Sequence, residues 1–183
     1  MKKILALLLC LGLAGCAVTQ RMTLEYTPVY PKNAPNNITI SVKPFEDART
    51  KKDVVGLSYG PIGNVASKAV ANNSVVEWIG DALKVELQNA GYNINLDGNA
   101  SNIIEGDVFD VISETTSVYY GYIKLRIILK QDNKEIFRET YFLSRKGKFN
   151  WGTTTKGHND TLNATLQEII QLIIRDINKK LLK

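Results

Sequence analysis

Apolar positions in this chain recur with two different periods, and the switches between those periods mark out its elements. Ile38, Ile40 and Val42 alternate with polar neighbours and stop before Pro44, which predicts a first strand. Ser74 and Glu77 have the spacing of a capping box, and Val76, Ile79, Leu83 and Leu87 then share one helical face as far as Gly91. Tyr92, Ile94 and Leu96 return to the two-residue period, and residues 103–113 read as a third strand. Ile123, Leu125, Ile127 and Leu129 form one face of a further strand, which Asp132 and Asn133 turn into a hairpin. In that register Lys130 faces Glu135 and Arg126 faces Glu139, so opposite charges meet on the outer face. The same register turns Arg138 inward, so either that end is solvated or the turn is longer. A final helix carries a wide stripe of Leu162, Leu166, Ile169, Ile170, Ile173, Ile177 and Leu181, with Lys179, Lys180 and Lys183 near its C-terminal end.

The predicted order is β-α-β-β-β-β-α. It implies an α+β two-layer sandwich, a mainly antiparallel sheet with two amphipathic helices packed on one face. Residues 37–183 suit a single domain of this kind. Two stretches fall outside the pattern. Residues 16–36, with Pro28, Pro31 and Pro35 and no apolar period, read as a flexible tether reaching up to about 70 Å. The alternative is that Leu24, Glu25 and Tyr26 add an edge strand. Residues 46–72 also lack a period and contain Gly56, Gly60, Pro61 and Gly63. Within them Val54, Val55, Leu57, Tyr59 and Ile62 are too apolar for a plain solvated loop and stand among Lys51, Lys52 and Lys68. They predict a partner-binding loop that orders on contact, and the alternative is simple packing over one end of the sheet.

The chain opens with Lys2 and Lys3, an apolar run from Ile4 to Leu13, and then Ala14, Gly15 and Cys16. That layout predicts a signal peptide over residues 1–15, its apolar run being shorter than the roughly 20 residues a spanning helix needs. Leu13-Ala14-Gly15-Cys16 resembles the lipobox of bacterial lipoproteins. The resemblance implies cleavage before Cys16, a diacylglyceryl group on its sulfur and an acylated amino group. An ordinary signal peptide or an uncleaved anchor are the alternatives. Three acyl chains hold a protein stably on a membrane. Ala17 at the position after the cysteine, where Asp retains lipoproteins in the inner membrane, implies an outer-membrane address with the domain in the periplasm.

Without residues 1–15, Cys16 is the only cysteine, and its lipidation would leave no thiol for a disulfide or a nucleophile. The remaining chain carries 21 basic residues (23 minus Lys2 and Lys3) against 18 acidic ones. This small, scattered excess is not the clustered footprint of a nucleic-acid binder. His158, the single histidine, sits in a polar stretch and reads as solvated, and Asp107, Asp110 and Glu114 lack the spacing of a calcium loop. Gly56 to Gly63 lacks the Lys-Ser/Thr ending of a phosphate loop. No catalytic residues, metal site or cofactor are predicted.

Val42-Lys43-Pro44-Phe45-Glu46-Asp47-Ala48-Arg49 and the helix that ends at Ala90-Gly91-Tyr92 resemble the YajG-type family of small Gram-negative lipoproteins. The resemblance covers most of the chain after Cys16 and implies an envelope lipoprotein without assigned catalytic residues. The expected function is non-enzymatic binding of another cell-envelope protein. The alternative is an accessory lipoprotein of an envelope transport or assembly system that handles lipid or polysaccharide.

Overall fold

Ile123, Leu125, Ile127 and Leu129 are each 0% exposed, as their alternation predicts. In the computed structural model, which describes residues 17–147 and 154–182, they line the inner face of a nine-stranded sheet. Its strands are β1 (Val18–Met22), β2 (Thr39–Val42), β3 (Glu46–Asp47), β4 (Gly56–Tyr59), β5 (Val65–Ala71), β6 (Asn93–Ile94), β7 (Asn102–Thr115), β8 (Tyr119–Gln131) and β9 (Lys134–Lys146). Helix α1 spans Val75–Asn89 and α2 spans Thr154–Leu181.

Strand β7 organises the sheet. One of its edges pairs antiparallel with β8, which pairs antiparallel with β9. Its other edge is shared by three short parallel strands in tandem: β2 beside Asn102, β3 beside Asp107 and β4 beside Ser113. Beyond them lie β6 on β2, β5 on β4, and β1 on the outer edge of β5. The α+β expectation holds: the long pairings are antiparallel and both helices bury their stripes in one continuous core. The order from α1 onward is also as predicted. Ahead of α1, however, the described residues form five strands and not one.

The helices form where the pattern placed them. Ser74 caps α1, its hydroxyl accepting from the Glu77 N–H at 3.3 Å, and Gly91 ends it at φ 98, a conformation open to glycine. Six of the seven predicted stripe residues of α2, Leu162 to Ile177, are at most 1% exposed. Burying each such side chain contributes about 1.5–3 kcal/mol, so this stripe is a principal source of stability.

Two β-bulges shift the strand registers, and one of them corrects the predicted hairpin. Asp132 and Asn133 do form the turn, both at positive φ, and Lys130 does face Glu135. The register then slips by one, so Arg126 opposes Thr140 and not Glu139. The slip carries Arg138 to the outer face beside Ile128 and turns Phe137, Tyr141 and Leu143 inward. A second slip at Phe109 switches the inward set of β7 from Ile104 and Val108 to Val111 and Ser113.

The tether expectation is corrected over residues 17–36. Residues Val18–Met22 are an edge strand, and Met22 and Leu24 are 5% and 3% exposed. The chain then runs as a strap across α1 and α2, held by side chains distant in sequence. Asn73 and Leu24 exchange two hydrogen bonds, Asn159 accepts from the Glu25 N–H, and Asn163 accepts from the Thr27 N–H. Polar residues fasten this segment, which is why it has no apolar period.

Candidate functional site

The period-free segment 46–72 holds β3, a turn and then the hairpin β4–β5, which is closed by a tip in which the Gly60 N–H donates to the Asn64 carbonyl at 2.8 Å. Its inward positions are Gly56 and Ser58, which face His158, so the apolar Leu57 points to the opposite side. A strand whose inner residues are small or polar leaves no hydrophobic alternation to read.

The five residues expected to bind a partner therefore do not form one patch. Val55 is in the core at 1% exposed, and its N–H donates to the Ala69 carbonyl at 2.9 Å. Val54 and Leu57, together with Val65, line a groove of about 440 Å³ rimmed by Lys51, Lys52, Lys68 and Asp53. Tyr59 is half-buried and its hydroxyl donates to Glu114 Oε1 at 3.0 Å; burial and that carboxylate push the phenol pKa up. Ile62 stands at the hairpin tip, 89% exposed. Cys16 lies outside the described residues.

An ion pair braces the turn at the groove's rim. Arg49, only 6% exposed, donates from Nε and Nη2 to the two Asp47 oxygens at 2.9 Å each, which holds the Asp47 carboxyl below the usual carboxylate range. Its Nη2 also reaches the Lys52 carbonyl at 3.4 Å. The pair ties down the turn that carries Lys51 and Lys52. Nearby Asp110 has its pKa raised by burial, with the Lys51 charge pulling the other way. What the groove offers is an aliphatic floor under a largely cationic rim, suited to an apolar segment that bears carboxylates or phosphates.

His158 is not the solvated loop residue its sequence context suggests. It lies near the start of α2 at 1% exposed, with Nε2 3.2 Å from Ser58 Oγ and the Tyr119 ring edge-on at 5.0 Å. Burial pushes its pKa down to about 4, and Nδ1 has no hydrogen-bond partner among the described residues. A hydroxyl beside an imidazole is half of a nucleophilic constellation, but among the described residues no carboxylate bonds to this ring, and the ring is buried. Three residues before the Thr161-Leu162 pair, His158 falls on the buried face of α2, and that spacing was the available signal. Among the described residues no group of His, Cys, Asp and Glu could hold a metal, and no helix is long and apolar enough to cross a membrane.

Solved structures share this fold at low identity. An uncharacterized protein superposes with a TM-score of 0.61 at 10% identity, over 88% of this chain and 99% of its own. Protein XCC0632 from Xanthomonas campestris gives 0.59 at 13% identity, over 86% and 92%. The hypothetical protein CT253 from Chlamydia trachomatis gives 0.51 at 8% identity, over 76% and 95%. No curated protein matches. Residues 28–180, from the strap to the end of α2, match the family model Lipoprotein_16, described as uncharacterized lipoprotein, and the chain belongs to that family.

Proposed function

We propose that this lipoprotein is anchored in the outer membrane through Cys16 and acts in the periplasm by binding another envelope protein, without catalysis. The observation that carries the reading is the groove over Val54, Leu57 and Val65, whose apolar floor stays open between Lys51, Lys52 and Lys68. Its fitting partner presents aliphatic side chains flanked by carboxylates. The enclosure of His158 at 1% exposed supports a role without chemistry. A closer YajG-type relationship belongs to the same reading, since Phe45, Asp47 and Arg49 have structural places here: Phe45 in the core, and Asp47 and Arg49 paired with each other.

A photo-crosslinking residue at position 54 tests this in cells, with and without Lys51→Glu and Lys68→Glu together. Crosslinking to one defined protein, lost on charge reversal while the chain stays in the membrane fraction, is the expected result. Retention of that partner by the charge-reversed groove overturns the reading. Copurifying lipid or glycan in place of protein replaces it with the transport-accessory alternative.

A further inference from the structure

We infer that the β4–β5 hairpin tip is a second membrane contact, which holds the domain against the phospholipid surface that receives the Cys16 acyl chains. The inference rests on the reading of Cys16 as the lipidated residue. Strand β1 is parallel to β5, with Val18 beside Ser67, and Ser67 sits opposite Ser58 in the hairpin. The chain preceding Val18 therefore leaves the sheet toward residues 60–64, the hairpin tip. Cys16 is two residues before Val18, so its Cα lies within about 7 Å of the Val18 Cα. The reading of Cys16 as the anchor therefore ties the lipid by a two-residue link to the strand end nearest the tip.

That tip is built for an interface and not for water. Ile62 is 89% exposed between Pro61 and Gly63, the most exposed large hydrophobic residue described. Lys146, the last residue of β9, lies at the same end, because it pairs with Tyr120 at the start of β8. Lys68 lies on β5 beside Thr19 of the anchored strand. An apolar tip with nearby lysines matches an acyl boundary beneath anionic headgroups. One isoleucine binds a membrane weakly by itself. With the anchor a few residues away the contact becomes intramolecular, and a weak preference is enough to populate it. The groove would then face sideways along the membrane surface, where another anchored or spanning protein can meet it.

The mature chain contains no cysteine but Cys16, so a thiol introduced elsewhere can be labelled alone once Cys16 is acylated. Ile62→Cys is compared with Leu96→Cys, which is 82% exposed in the loop between β6 and β7, at the opposite end of the sheet. Each mature, lipidated protein carries a polarity-sensitive fluorophore in vesicles of phosphatidylethanolamine with phosphatidylglycerol. The expected result is a blue-shifted emission at position 62, quenched several-fold more by lipid-borne quencher than at position 96. Equal quenching at both positions in protein whose mass shows the acyl chains overturns this inference and leaves the anchor intact. A mature protein without acyl mass overturns the anchor reading and this inference together.

Discussion

The Tyr26 hydroxyl donates to Glu86 Oε1 at 2.7 Å, and the N–H groups of Val29 and Tyr30 donate to the two oxygens of the same carboxylate at 2.6 and 2.9 Å. Glu86 is 0% exposed on α1, so these three bonds and the Asn89 amide substitute for its lost water. One buried carboxylate thereby fastens the strap that leads from β1 to β2. Burial and the Glu86 charge also push the Tyr26 pKa well up. Glu86→Ala removes the acceptor of all four hydrogen bonds, at a cost of at least about 2 kcal/mol. Urea unfolding should show that loss, and amide exchange at residues 26–30 should rise before the rest of the chain. Unchanged protection there would mean the strap is held by other contacts.

What the sequence could convey depended on whether an element buries its own apolar face. Helix α2 and strand β8 do so with Ile169, Ile173, Leu125 and Ile127, and their periods were plain. Strand β4 turns Gly56 and Ser58 inward, and β1 adds Val18 at 60% exposed, so neither has an alternation to detect. The strap depends on Glu86, Asn159 and Asn163, and nothing near residues 23–30 announces partners so far along the chain. The apolar content that set residues 54–62 apart in the sequence is shared out in the structure between three different environments. Its division into core, groove and tip follows only from which face each residue takes.

Stability should depend on pH through His158. Burial holds its pKa near 4 in the folded chain against an ordinary value of 6.5, so the unfolded chain binds the proton more readily. Its contribution is complete above about pH 6.5, falls as pH drops toward 4 and levels off below, a span of about 3 kcal/mol. His158→Asn removes this titration. The difference in urea midpoint between wild type and variant should therefore change between pH 4 and pH 6.5 and be constant above. A difference that does not change with pH would place a protonatable, solvated imidazole at this position.

Ile173→Asp puts an unpaired carboxylate where the side chain is 1% exposed, between α2 and the sheet. Such burial costs several kcal/mol, comparable with the whole stability of a domain this size. Residues 17–183 carrying this change should lose cooperative thermal unfolding. A melting temperature within a few degrees of wild type would contradict the packing of α2.

Lipidation is tested at Cys16. A serine hydroxyl is a much poorer nucleophile than a thiolate, so Cys16→Ser should take up no fatty-acid label and keep its first 15 residues. Label on the serine variant, or none on the wild type, would exclude the anchor.

The Pro44-Phe45 step has a packing partner that a double-mutant cycle can expose. Phe45 is 6% exposed, and its ring lies over Gly106 of β7, where an added Cβ would be 2.9 Å from two ring carbons and 3.0 Å from the Arg126 carbonyl. The ring can shift but the backbone oxygen cannot, so Gly106→Ala should cost about 1–3 kcal/mol by overpacking. Phe45→Leu opens space at the same point and should cost a comparable amount by itself. Together the two changes should cost clearly less than their sum, because the leucine vacates the volume the new methyl group needs. Chemical denaturation of the four proteins measures the coupling. Strict additivity would mean that the Arg126 carbonyl, and not the Phe45 ring, is what requires glycine at position 106.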